Sequence, residues 1–305
     1  MDVLPTLFAQ GADPWVLRHT DGRFYASASQ DGALTLRRAA TLAGLRDAPA
    51  VTLWTPPPGT DHSHELWAPE VHVVDGRWVL YVAADDGDNA NHRMFALENP
   101  AADPLTGVWT LHGPLDTHGW AIDGTRLHWQ GRSYFVWSGW EGTDNVAQHL
   151  FIAPLKDPFT IDGPRVRISS PDHDWETRGS GGPDALPTIN EGPQVLIRGE
   201  RVHIIYSASG SWSDFYCLGR LTLAPGGDPT DPTAWHKHPA PAFESGNGIV
   251  APGHASFVRE DPGADWIVYH AARHPGAGWD RFVRAQTFVW DADDAPIFGV
   301  PAKSP

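Results

Sequence analysis

Asn190-Glu191-Gly192-Pro193-Gln194-Val195-Leu196-Ile197 places one carboxylate at the entry of an apolar, alternating run. Gly-Pro is turn chemistry, and the alternation that follows is that of a strand. A short polar turn, Arg198-Gly199-Glu200, leads into Arg201 to Ser207, whose Val202, Ile204, Ile205 and Tyr206 read as a returning strand. The unit is a β-hairpin with an acid at its mouth. It recurs along the chain with a different mouth residue each time: Asp13, Glu70, Asp123, Glu191 and His254, separated by 57, 53, 68 and 63 positions. A repeat of this period, with about four strands per unit, predicts an all-β, five-bladed β-propeller.

Working outward, the first blade starts at Asp13-Pro14, with strands over Trp15 to Leu17, Phe24 to Ser29 and Leu34 to Arg37. The second starts at Leu66 to Glu70, turns at Asp75-Gly76, and adds Trp78 to Ala83, Arg93 to Leu97 and Trp109 to His112. The third starts at Ala121 to Gly124, turns at Gln130-Gly131, and continues through Tyr134 to Ser138 and His149 to Pro154. Tyr216 to Leu223 and the region of Trp235 complete the fourth. The fifth starts at Pro252 to Ala255 and runs through Ser256 to Arg259, Trp266 to His270 and Arg281 to Trp290. Asp-Gly pairs are the preferred tight hairpin turn. The best helical candidate is the short stretch from Arg38 to Leu45. No strand obviously closes the last blade. With no linker or low-complexity tract, residues 1–305 read as one domain.

In a propeller the innermost strands line a central channel, so residues at the same end of each converge. Asp13, Asp123 and Glu191 would then share one pocket at one end of the channel. Acids are depleted in strands and seldom buried without a partner. Each alone could cap a turn, Asp13 before Pro14 and Asp123 before Gly124 especially. Three at equivalent positions point to chemistry. A two-sheet sandwich with scattered surface acids is the other architecture the strands allow, but it does not account for five phasings of one pattern.

Two carboxyl groups are what glycosidic hydrolysis needs: one protonated to serve the leaving oxygen, one ionised to activate water. A third nearby would raise the acid by like-charge repulsion. The remaining composition agrees. The formal net charge of −15 disfavours nucleic acid and anionic membrane as partners, and no segment approaches a membrane span. The lone Cys217 permits neither an intrachain disulfide nor a cysteine metal cluster, and its setting reads as a buried strand. Fifteen Trp residues supply core packing and, for a few, sugar stacking. Met1 to Pro5 lack the basic and apolar segments of a leader, so a cytoplasmic location is expected.

The ordered set Ala12-Asp13-Pro14, Trp67-Ala68-Pro69-Glu70, Ile122-Asp123-Gly124-Thr125, Asn190-Glu191-Gly192-Pro193 and Gly253-His254 resembles glycoside hydrolase family 43. The Trp-Ala-Pro-Glu stretch with its downstream Gly76-Arg77-Trp78 and Leu80-Tyr81, and Glu-Gly-Pro followed by Tyr206-Ser207, are the more specific parts. The resemblance implies an inverting single displacement with Asp13 as general base, Glu191 as general acid and Asp123 tuning and orienting the acid. Inversion of this kind places base and acid roughly 6.5–9.5 Å apart. Glu70 is expected to be structural. His254 matches a family histidine that holds a water-coordinated ion, or is simply a satisfied channel histidine. No cofactor is required; a Ca or Na ion near His254 would be held through water.

Trp67 and Trp140 are candidate sugar platforms, and each could equally be core. Ser138 could donate to a hydroxyl. Arg281 matches the position of a sugar-binding arginine, with Arg284 close enough to be confused with it. His62 and His64 could reach the pocket mouth, although they and the pair His236 and His238 read better as solvated loop residues. Asp85 to Asp88 lack a calcium-loop pattern and read as a solvated turn. The segment Trp120 to Trp140 and the C-terminal run from Trp290 to Pro301 resemble the arabinofuranosidase subset. The expectation is therefore an exo-acting α-L-arabinofuranosidase, a monomer acting on arabinose-containing oligo- or polysaccharide. β-Xylosidase and endo-arabinanase are the alternatives on the same fold, and a non-catalytic glycan-binding propeller is the alternative outside it.

Overall fold

Asp31-Gly32, Asp75-Gly76 and Gln130-Gly131 each form a two-residue turn with both residues at positive φ. That conformation matches the twist of paired strands and fixes hairpin register. The computed structural model describes residues 2–179, 187–260 and 263–303. Blade one comprises Trp15–Arg18, Phe24–Gln30, Ala33–Ala39 and Val51–Trp54. Blade two comprises His64–Val74, Arg77–Asp85, Arg93–Asn99 and Thr110–Pro114. Blade three is built on Ala121–Trp129, Arg132–Gly139 and Ala147–Asp157, with short strands Thr160–Ile161 and Val166–Ser169 on its outer edge. Blade four has Thr188–Arg198, Arg201–Ala208, Cys217–Leu223 and Trp235–Lys237. Within each blade, consecutive strands pair antiparallel.

Blade five supplies the closure that the sequence did not reveal. Its strands Val250–Glu260, Ala264–Ala272 and Arg281–Trp290 are joined on the outer edge by the N-terminal strand Val3–Phe8. Leu4 pairs with Ala285 and Phe8 with Val283. The chain thus ties its first strand into its last blade. Packing closes the ring as well. Tyr25 and Leu36 of blade one share a cluster with Trp78 and Leu80 of blade two; Tyr81 shares one with Phe135; Val136 with Ile204; Ile205 with Tyr269; and Val268 with Val16 and Phe24. Each seam between neighbouring blades is one apolar cluster, and each large side chain it buries is worth about 1.5–3 kcal/mol.

The expected helix is reduced to one 3₁₀ turn, Ala43–Arg46, because Arg38 and Ala39 still belong to a strand. Cys217 is buried, as its strand setting suggested. Trp140 is a core residue: it is 4% exposed, and its face lies against Trp120 at 4.5 Å with 7° between the planes. Asp85 corrects the reading of its stretch as a solvated turn. It is fully buried beside His92, with Oδ2 2.9 Å from Nδ1, whereas Asp86 and Asp88 serve the turn by accepting from Asn91 and from the Ala90 amide.

Candidate active site

The five inner strands share a local device. At the channel mouth each has a residue at positive φ, Asp13, Ala68, Asp123, Gly192 and His254, at 48°, 44°, 56°, 53° and 39°, and the strands of blades two and five have a second, Glu65 and Ala251. In blades two to five the pairing register slips at this point, so the strand is bulged. A bulge bends the strand and re-aims the side chains beside it. For non-glycine residues the conformation is strained, and such strain persists only where the surroundings enforce it. The bulges turn Asp123, Glu191 and His254 toward the channel mouth, where Asp13, just before the first strand of blade one, meets His254.

Glu70 does not occupy this station; Ala68 does. Glu70 lies two residues further in, as Gln194 and Ser256 do, and these belong to a second tier below the mouth. There Glu70 is buried, bonded to Gln194 Nε2 and to His72 Nε2, and Ser256 Oγ accepts from the Val16 amide. The structural reading of Glu70 matches this placement.

Asp13 has one carboxyl oxygen, Oδ1, 3.2 Å from His254 Nδ1, 3.3 Å from His270 Nδ1 and 3.9 Å from Arg281 Nη1. Burial alone would raise its pKa. His254 first, then His270, with Arg281 behind them, outweigh burial and hold the carboxyl well below the usual carboxylate range. The Asp13 amide donates to His270 Nδ1 at 3.0 Å. Burial and the Arg281 charge push His270 down to about 3, so its ring is neutral and accepts that bond.

Glu191 behaves oppositely. It is 8% exposed, and burial, reinforced by the Asp13 charge, raises it to about 7. Tyr216 opposes the rise by donating its hydroxyl to Glu191 Oε1 at 2.7 Å. Tyr216 itself is buried and pushed far up, so it remains a donor. Asp123 is raised well above its ordinary value by burial and by the neighbouring Glu191 and Asp13. Its Oδ2 accepts the Gly192 amide at 2.9 Å, which fixes the backbone just after the Glu191 side chain. Glycine suits position 192, where φ is 53° and a Cβ would sit tightly, 3.0 Å from His254 Nδ1. Gly253 is required for another reason, since a Cβ would meet the Tyr216 ring at 2.2 Å. A Tyr216→Phe variant is expected to move the basic limb of the pH–rate profile upward, because the bond it loses favours ionised Glu191. An unmoved limb would show that Tyr216 does not tune this acid.

Behind Glu191 lies a buried polar frame. Asn190 Nδ2 donates to Glu176 Oε1, and Asn190 Oδ1 accepts from Ser169. Glu176, fully buried, also receives Tyr206 and Lys237 at 2.8 and 3.0 Å. Lys237→Met would strand that carboxylate, and removing one partner of a buried pair costs about 3 kcal/mol. The expected result is a loss of several degrees in Tm, measured by calorimetry. Ser138 belongs to this frame and is not a sugar ligand. Its hydroxyl is fully buried and donates to the Asn190 carbonyl at 2.9 Å.

Arg281 is the pocket arginine, set over the Tyr216 ring and anchored to the Ser211 carbonyl at 2.5 Å. Arg284 instead lies in the interior of blade five, donating to the Ala302 carbonyl. Trp67 stacks on His92 at 4.0 Å and bonds Glu65 through Nε1, and it lines a cavity of about 940 Å³ together with Asp13 and Ser29. His62 is half-buried against Trp54, not solvated; His64 and His236 are exposed, and His238 bonds the Ala240 carbonyl. Among the described residues no group of three or more His, Cys, Asp or Glu side chains is arranged to hold a metal ion. His254 Nδ1 faces Asp13 and Asp123 instead, at 3.2 and 3.9 Å. Sequence reasoning passed over Tyr216 and His270. The only signal was a polar ring at the mouth end of an otherwise apolar strand.

Similarity to known proteins extends over nearly the whole chain. The sequence profile described as glycosyl hydrolases family 43 matches residues 4–296. An extracellular exo-α-(1→5)-L-arabinofuranosidase of Streptomyces avermitilis is 37% identical over 95% of this chain, which spans 62% of that protein's length. One of the same name from Streptomyces chartreusis is 38% identical over 88% of the chain and 82% of its own length. The crystal structure of an α-L-arabinofuranosidase from Lactobacillus brevis superposes with a TM-score of 0.88 at 34% identity, covering 97% of this chain and 96% of that one. The two Streptomyces names overturn the cytoplasmic location expected from the N-terminal residues.

Proposed function

Because this chain belongs to glycosyl hydrolases family 43, we propose that it is an exo-acting α-L-arabinofuranosidase. It removes terminal L-arabinofuranose from arabinan, arabinoxylan or their oligosaccharides, outside the cell, with residues 1–305 as its catalytic domain. The observation that carries the reading is the split between two carboxyl groups in one pocket. Asp13 is held ionised, while Glu191, raised to about 7, is still about half protonated at neutral pH. Environments that push paired acids apart assign the base and the acid.

In this reaction Asp13 accepts a proton from water as the water attacks the anomeric carbon. Glu191 gives its proton to the departing oxygen. Tyr216 occupies Oε1, so the transferable proton belongs on Oε2. Asp123 holds the backbone beside the acid through the Gly192 amide. Arg281 and Trp67 are the contacts offered to the sugar. The chemistry calls for two carboxyl groups and no cofactor.

The deciding experiment follows hydrolysis of 4-nitrophenyl α-L-arabinofuranoside by NMR from the first seconds. Inversion delivers β-L-arabinofuranose first, and on arabinobiose, whose departing oxygen needs a proton, kcat/KM falls above about pH 7 as Glu191 ionises. Initial α-product would exclude the single displacement, and activity on the β-D-xyloside alone would change the substrate.

A further inference from the structure

Three of the most exposed large aromatic side chains cluster in two neighbouring loops: Trp212 at 37%, Phe215 at 53% and Trp279 at 68%. Trp212 and Phe215 lie in the connection between the second and third strands of blade four, residues 209–216, and Trp279 in the equivalent connection of blade five, residues 273–280. Both open at the channel end that holds the carboxyl groups. Blade one has only the two-residue turn Asp31-Gly32 in that place. The rim is therefore raised on the side of Glu191 and low on the side of Asp13.

The raised loops are fastened. Gly276 donates to Asp214 Oδ1 at 2.8 Å, and the base of the blade-five loop is closed by Arg273 and Asp280 at 3.0 Å. Trp212 is held through Nε1 to the Gly179 carbonyl at 2.7 Å. Trp279 Nε1 reaches Ser211 Oγ at 3.2 Å, and the Ser211 carbonyl receives Arg281, which lies 3.9 Å from Asp13. Trp279 is thus an exposed ring whose polar edge is already satisfied and whose anchor is shared with the pocket arginine. A fixed, solvent-facing indole is suited to the apolar face of a sugar ring. In the proposed reaction the leaving group departs on the side of the acid, which is the side these loops raise.

We propose that Trp279, with Trp212 beside it, is the stacking platform for the sugar rings of the leaving group, and that it sets the preference for oligosaccharides over short glycosides. This rests on the activity proposed above. The test compares α-1,5-L-arabinotriose with methyl α-L-arabinofuranoside. In Trp279→Ala the ratio of their kcat/KM values is expected to fall about tenfold, as one lost stack implies. Trp279→Phe should keep most of the ratio. An unchanged ratio, including an equal fall on both substrates, overturns the platform. If the parent protein hydrolyses neither arabinoside, the activity reading fails, and the platform is decided by binding. Arabinotriose and xylotriose are then titrated calorimetrically into Glu191→Gln and into Glu191→Gln with Trp279→Ala. Five- to tenfold weaker binding in the second supports the platform; equal binding, or none in either, overturns it.

Discussion

Glu191→Gln is expected to lower kcat on arabinobiose by about 10³-fold while leaving hydrolysis of 4-nitrophenyl α-L-arabinofuranoside far less impaired. Removal of a general acid costs on the order of 10²–10⁴-fold. That cost is paid in full only when the departing oxygen needs a proton. A sugar alkoxide does, and 4-nitrophenolate hardly does. The substitution keeps the Tyr216 bond, since an amide oxygen accepts as the carboxyl oxygen does, so the pocket should remain assembled. The variant should also lose the basic limb near pH 7, because the group that titrates there has gone. Equal loss on both substrates would mean that Glu191 is not the proton donor.

Asp13→Asn should be as damaging and should not discriminate. The base acts on water, whatever leaves from the other side, so kcat falls by about 10³-fold on both arabinobiose and the nitrophenyl glycoside. A second signature separates it from a folding defect. The Asp13 charge helps to raise Glu191, so its removal should shift the remaining basic limb to lower pH. A variant retaining a tenth or more of the wild-type rate, or a limb that moves upward, would remove Asp13 from this role. Together the two variants test the assignment through leaving-group dependence, which a merely structural residue does not show.

Much of this was readable in the linear chain. Period-two apolar runs, and the Asp-Gly and Gln-Gly turns that close them, are local properties, and their fivefold recurrence names the architecture. The three acids stood out because a carboxylate beside Pro or Gly at the head of an apolar strand has no packing role. Arg281 and Arg284, three residues apart on one strand, could not be told apart, because what separates them is the environment each side chain enters. The ring closure was hidden for a similar reason: Val3–Phe8 carries no mark that its partner is Arg281–Trp290, at the other end of the chain.

The sequence by itself determined the repeat, the strands and the acids at their heads, because alternation and turn chemistry act over a few residues. Only the tertiary structure decided which polar groups meet. The bulge in blade two puts Ala68, not Glu70, at the station and drops Glu70 to the tier below, where Gln194 meets it. Ser138 is spent on the Asn190 carbonyl and Trp140 on Trp120 because neighbouring elements bring those partners in. Burial raises both Asp13 and Glu191; only Asp13 has His254, His270 and Arg281 of blade five close enough to outweigh it, and that is why the two shift in opposite directions. A pKa is set by the charges and burial around a group in space, and no spacing along the chain encodes that.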